Sequence, residues 1–179
     1  MKYTISEIIS ALAIKQKGSI QNTEITTLLT DSRKLSNSEE TLFFALTTKS
    51  NDGHCFIDDL YTQGVRNFVV SKDYTISKKH SDANFLIVRN TLTALQRLVA
   101  YHRSKFEIPV IGITGSNGKT IVKEWLYQLL HRDYNIVRSP RSYNSQTGVP
   151  LSVWQLNDRA GLGIFDAGIS MLDEMERLE

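Results

Sequence analysis

One cysteine, Cys55, stands in 179 residues, so no internal disulfide framework holds this chain, and a lone thiol suits a reducing compartment. Charge of one sign is also scarce. Lys and Arg number 21 against 19 Asp and Glu, the net charge is +2, and the basic residues form no block. No nucleic-acid or membrane-surface partner is expected from such a balance. The longest apolar runs fall far short of a bilayer span, and "MKYTISEII" lacks the apolar core and cleavage site of a secretory signal. No membrane insertion and a cytoplasmic location are therefore expected. His80, His102 and His131 are isolated and show no metal-ligand spacing. There is no internal repeat and no low-complexity tract.

What is present supports a real core: 41% of the residues are hydrophobic. Thr4-Ile-Ser-Glu7 reads as a capping box, with Ile5, Ile8, Ile9 and Leu12 following at helical spacing. "EITTLLT" (24–30) and "TLFFAL" (41–46) are β-rich, with Asp31-Ser32-Arg33 in the turn between them. "CFIDDLYTQGV" predicts a helix closed by Gly64, and "NFVVS" and "NFLIV" predict strands. A helix is predicted over 91–106, with Leu92, Leu95, Leu98 and Val99 on one stripe.

Pro109 ends that pattern and forces Ile108 to be extended, which puts a domain boundary near 107. Beyond it the pattern alternates: a strand at 109–114, a helix through about 131, a strand at "YNIVRS", a polar loop, and a helix around "VPLSVWQL". A strand at "GLGIFDAG" and a helix from Ser170 close the chain. The expected fold is α/β: a small mixed N-terminal domain (1–106), then the first part of a phosphate-loop ATPase domain on a parallel sheet (107–179). The chain stops inside an amphipathic pattern, "MLDEMERLE", so it is expected to be the N-terminal piece of something longer.

"VIGITGSNGKT" (110–120) has the chemistry of a phosphate site. Gly115 and Gly118 let backbone N–H groups approach an oxyanion, and the following helix turns its positive end to the same point. Lys119 offers a charge for the β- and γ-phosphates and Thr120 a hydroxyl for Mg²⁺. The commonest spacing would need glycine at 113, where this chain has Ile113; the glycines fall at 112, 115 and 118. An ordinary strand–helix turn is the other reading, but it leaves unexplained a lysine that opposes the helix dipole. Kinases, switch GTPases and ATP-dependent ligases all share such a loop.

"TGSNGKT" resembles the phosphate loop of the Mur ligase family. "TDSRKL…TLFFALTTKSNDGHCFI" (30–57), "SYNSQTGVPLSVW" (142–154) and "GIFDAGISMLDEMERL" (163–178) extend the resemblance over nearly the whole chain. Asn144 and Gly148-Val149-Pro150 favour the branch that adds D-alanyl-D-alanine to UDP-N-acetylmuramoyl-tripeptide. The resemblance implies an ATP- and Mg²⁺-dependent amide ligase, a monomer, working through an acyl phosphate in peptidoglycan synthesis. It implies that Gly115, Ser116, Asn117, Gly118, Lys119 and Thr120 hold the triphosphate, and that Thr120 and Asp166 bind the metal. Lys119, Asn144 and Asp166 would serve the chemistry, with Ser32 and Arg33 on the uridine nucleotide. Asp166 stands where the family has glutamate, Ser145 where it often has a second asparagine, and Ile121 where threonine is frequent. Since the family completes its site with later residues, residues 1–179 alone are expected not to form the amide. Another amide ligase of the family, folate or tripeptide type, and a non-catalytic nucleotide switch are the alternatives.

The remaining polar and aromatic residues read as structural. His54 in Asp-Gly-His belongs to loop architecture, Cys55 is expected buried and inert, and Trp125 and Trp154 are expected in the core. The other histidines are expected at the surface or at helix ends, and Glu39-Glu40 and Asp58-Asp59 in solvent.

Overall fold

The computed structural model describes residues 1–15, 20–48, 51–140 and 143–168. Two compact units divide the chain, Met1–Leu98 and Val99–Glu179.

The first unit opens with β1 (Tyr3–Thr4) and α1 (Ile5–Leu12). Thr4 Oγ1 accepts from Glu7 N, and Glu7 Oε2 accepts from Thr4 N at 2.7 Å, so the capping box is closed on both sides. The helix buries Ile5, Ile8 and Leu12. The run "EITTLLT" is not one strand. It splits into β2 (Glu24–Ile25), antiparallel to β1, and β3 (Thr27–Leu29), parallel to β4 (Thr41–Phe44). The split falls at Thr26 because the N–H groups of Thr26 and Thr27 both donate to Glu40 O. A short 3₁₀ turn, Gly53–Phe56, leads into α2 (Ile57–Thr62), then β5 (Asn67–Ser71) and β6 (Asn84–Val88). The parallel sheet runs β3-β4-β5-β6. Its strands are near-continuous apolar runs, as sheets covered on both faces require. Phe68 stacks on Phe85 at 5.2 Å and meets Phe43 edge-on at 6.3 Å, and Leu29, Ile57, Leu60, Val65 and Val70 complete that core.

Helix α3 (Thr91–Arg103) contains the division between the units, ahead of the boundary expected from Pro109. The second unit holds β7 (Val110–Ile113), α4 (Lys119–Leu130), β8 (Ile136–Arg138), α5 (Gly148–Val153) and β9 (Leu162–Asp166). Among the described residues these strands form a parallel sheet in the order β7-β9-β8, with β9 in the middle. Phe106, Leu156, Ala160 and Phe165 form the core there. The parallel α/β class is as expected. The helix predicted from Ser170 lies outside the described residues.

Several expectations for single residues fail. Trp125 is 63% exposed, and Trp154, just past α5, is half-buried against His102 at 4.6 Å. Cys55 is exposed. His102 is in the last turn of α3, a helix end as expected, yet it is buried, with its Nε2 donating to Leu156 O at 3.1 Å; burial pushes its pKa down to about 4. His80 is buried too, its ring packed on Tyr61 and Phe85. Glu39, Asp58 and Asp59 are exposed as expected and Glu40 is half-buried; Glu40 pairs with Lys2 at 2.9 Å and Asp58 with Lys79 at 2.6 Å. His54 does serve the loop: its Nε2 accepts from Ser71 N and its Nδ1 donates to Asp52.

Candidate functional site

The glycine-rich loop leaves β7 at Ile113 and enters α4 at Lys119. Two of its residues take conformations that only glycine adopts freely: Gly115 has φ 140° and Gly118 φ 80°. Gly118 is the N-cap of α4 and brings no side-chain cap, so the first turn presents uncapped N–H groups and the positive end of the helix dipole. Ser116 and Asn117 are exposed between the glycines. Lys119 folds back along the loop, its Nζ donating to Gly115 O at 2.5 Å.

The loop's helix meets the central strand. Asp166 ends β9, opposite Ile113 in the register, and is fully buried. Thr120 Oγ1 donates to Asp166 Oδ2 at 3.1 Å, so two residues 46 positions apart share one spot at the C-terminal ends of the strands. Asp166 Oδ1 is buried and has no hydrogen-bond partner among the described residues. Asn144 lies close by in the chain path, because its carbonyl accepts from Gly168 N at 2.6 Å, two residues past the strand end. Ser145, in the place of a second asparagine, meets the start of α5: its Oγ accepts from the N–H of Gly148, the first residue of that helix, at 3.0 Å.

Two residues the sequence did not single out belong to this cluster. Lys123 is fully buried, with Nζ donating to Ser139 O at 2.8 Å and lying 3.8 Å from Asp166 Oδ2. Ser139, also buried, accepts from Asp166 N at 3.2 Å through its Oγ. The signal available was spacing, since Thr120 and Lys123 are three apart and share a helix face.

Ser32 and Arg33 lie in the first unit, in a 3₁₀ turn Ser32–Lys34 capped by Asp31. The Arg33 side chain is 86% exposed and forks onto its own neighbour, with Nε to Asp31 Oδ1 at 2.9 Å and Nη2 to Oδ2 at 2.8 Å. That fork holds the Asp31 carboxyl down at about 2. One edge of the guanidinium is thus committed to Asp31. A cavity of about 530 Å³ opens elsewhere in this unit, lined by Asp52, His54, Ser71, Tyr74 and Asn90 among others, and neither Ser32 nor Arg33 lines it.

Residues 113–179 match the Mur ligase middle domain. The chain is 32% identical over 99% of its length to the UDP-N-acetylmuramoyl-tripeptide–D-alanyl-D-alanine ligase of Borreliella burgdorferi, covering 40% of that protein. It is 30% identical over 97% of its length to the same-named ligase of Bacillus subtilis, covering 38%. The chain is thus similar to Mur ligases over nearly its whole length, and residues 113–179 match their middle domain. A crystal structure of Acinetobacter baumannii MurF superposes on 99% of the chain with a TM-score of 0.87 at 26% identity, over 38% of that structure. Thermotoga maritima MurF, solved in complex with ADP, matches 84% of the chain with a TM-score of 0.71 at 25% identity, over 34% of its own length. The chain therefore spans about two fifths of the length of its Mur ligase relatives. Among the described residues no helix is long and apolar enough to cross a membrane.

Proposed function

We propose that this chain is the N-terminal part of a cytoplasmic, ATP-dependent ligase that joins D-alanyl-D-alanine to UDP-N-acetylmuramoyl-tripeptide. In this reading residues 1–106 bind the UDP-muramoyl peptide, with Ser32 and Arg33 on the nucleotide, and residues 107–179 begin the ATP-binding domain. The observation that carries it is the Thr120–Asp166 contact of 3.1 Å at the foot of a loop with two left-handed glycines. A plain strand–helix turn has no need to bury a carboxylate against the first turn of its helix.

The reaction balances in two steps. The terminal carboxylate of the peptide attacks the γ-phosphorus of ATP, ADP leaves, and an acyl phosphate forms. The free amine of D-alanyl-D-alanine then attacks the acyl carbon, phosphate leaves, and the nitrogen loses a proton to give the amide. The protein's share is positioning and charge neutralisation. Gly115 to Gly118 and the α4 N-terminus hold phosphate oxygens, and Lys119 adds a cation. Asn144 is assigned to the side of the site where the acyl phosphate forms.

The donor set fits Mg²⁺, which takes hard oxygens from one or two protein groups alongside phosphates. Asp166 Oδ1 is buried without a hydrogen-bond partner among the described residues, and the Thr120 hydroxyl lies beside the same carboxylate. Thr120 and Asp166 would hold the ion, directly or through water, and it would neutralise charge on the transferring phosphoryl group.

A thermal melt tests the assignment. Each of UDP-muramoyl-tripeptide and Mg²⁺·ATP, at a hundred times its Kd, stabilises by about 2.7 kcal/mol, a rise of roughly 5–10 °C for a chain this size. A rise with the UDP-peptide is expected. A rise with Mg²⁺·ATP and none with the UDP-peptide would overturn the cell-wall substrate and leave a nucleotide switch or another amide ligase.

A further inference from the structure

Helix α4 is inverted relative to an ordinary helix packed on a sheet. Lys123 is fully buried, while Ile121, Trp125 and Leu129 on the same helix are 57%, 63% and 73% exposed. An ammonium taken out of water is unfavourable unless it is paired and hydrogen-bonded, so its surroundings must account for it. They include Ser139 O at 2.8 Å, Asp166 Oδ2 at 3.8 Å, and the half-exposed Glu124 at 3.6 Å. Ser139 is fixed in turn: its N–H donates to Ile164 O at 3.1 Å and its Oγ accepts from Asp166 N at 3.2 Å. The helix that carries Lys119 and Thr120, the exit of β8 and the end of β9 are thus fastened together at one ammonium. It lies one helical turn along α4 from Lys119.

We propose that Lys123 is a positioning residue for the phosphate site. Through Ser139 and Asp166 it holds the carboxylate against the Thr120 hydroxyl, and so sets how tightly the site takes a divalent cation together with a nucleoside di- or triphosphate. Oδ2 is occupied by Thr120 and faced by Lys123, which leaves Oδ1 as the oxygen without a hydrogen-bond partner among the described residues. Without the ammonium the carboxylate can turn, and the tie between helix start and strand end loses its charged member while the Thr120 hydroxyl remains. The proposal rests on reading this loop as a phosphate site.

The test separates metal from nucleotide. Mn²⁺ is titrated into the chain with ADP and free Mn²⁺ is read by electron paramagnetic resonance; ADP affinity is measured separately in EDTA by calorimetry. Lys123→Met keeps the volume and removes the charge. It should raise the Mn²⁺ requirement about tenfold, the scale of losing an outer-shell partner, with ADP affinity in EDTA within about twofold of native. In an Asp166→Asn background the same change should add nothing, since both residues act through one contact. A lowered melting temperature with an unchanged Mn²⁺ requirement, or equal loss of both affinities, would make Lys123 merely structural and overturn the proposal. Should Lys123→Met not fold, Ser139→Ala cuts the fastening at Asp166 N. A Mn²⁺ requirement raised about threefold supports the proposal, and an unchanged one overturns it. Absence of ADP binding by the native chain would instead overturn the phosphate reading itself, and this proposal with it.

Discussion

The two units each set helices against a parallel sheet, but they differ in what lies inside. In the first, β4 is buried at every residue, Phe43, Phe68 and Phe85 interlock, and α1 turns Ile5 and Ile8 inward. In the second, only β9 is buried along its length, β7 is not, and α4 turns a lysine inward and a tryptophan outward. Their candidate sites differ in the same way. Arg33 sits on an exposed turn and pairs with the residue two before it, whereas Thr120 and Asp166 join a helix start to the middle strand. Packing determines the inside of the first unit, and the chemistry at the strand ends determines much of the inside of the second.

The largest effect that would break this comparison is in the hydrophobic core. Phe68→Ala should destabilise the first unit by about 3–5 kcal/mol, while Trp125→Ala on the exposed face of α4 should stay within about 0.5 kcal/mol, both read from urea transitions. Equal losses would mean that Trp125 is packed and α4 is not inverted.

Next is a pH effect in the second unit. His102 binds protons less readily when folded, at about 4, than the ordinary 6.5 of the unfolded chain. The unfolded state therefore holds more protons between those values, so this contribution is fully present above pH 6.5 and is lost as pH falls toward 4. The loss amounts to about 3 kcal/mol at its limit. Stability of native chain and of His102→Gln, measured from pH 7 to 4, should converge or cross in that window. Parallel curves would show the ring to be solvated.

Smaller still is the backbone of the loop. Gly118→Ala forces an alanine to φ 80° and should cost about 1 kcal/mol. Gly112→Ala in β7, where nothing lies within 4 Å of the added carbon and φ is not positive, should be near neutral by the same melt. Smallest is Arg33→Ala, whose exposed pair with Asp31 should leave no measurable stability change. If Arg33 contacts a diphosphate, affinity for UDP-muramoyl-tripeptide should nonetheless fall about tenfold.

How much of this was legible follows the range of the interactions. The capping box from Thr4 to Glu7 and the parallel α/β pattern are written in short windows, and each appears in the structure; Gly115 and Gly118 were legible as a place for close approach to an oxyanion, and their positive φ is what the structure adds. Asp166 was legible as a strand end and Thr120 as a loop end, but their contact spans 46 residues and needed the fold. Lys123 was missed because a lysine inside a helix reads as solvated. Its partners are Ser139, just past the end of β8, and Asp166, at the end of β9. His102 misled in the same manner, since the carbonyl that lets its ring be buried is 54 residues away. Cys55 and Trp125 were judged by the habits of their residue types, and such habits say nothing about which side of a turn or helix faces the core.

The most direct test of the central claim is calorimetric titration of Mg²⁺·ADP into the native chain and into Lys119→Ala, with UDP-muramoyl-tripeptide titrated into both. The account predicts saturable ADP binding by the native chain and loss of about a hundredfold or more in the variant, which gives up a charge-assisted contact to phosphate. It predicts UDP-peptide affinity unchanged between the two. Equal ADP affinity in both proteins would contradict the phosphate site, and parallel loss of both ligands would contradict their assignment to separate units.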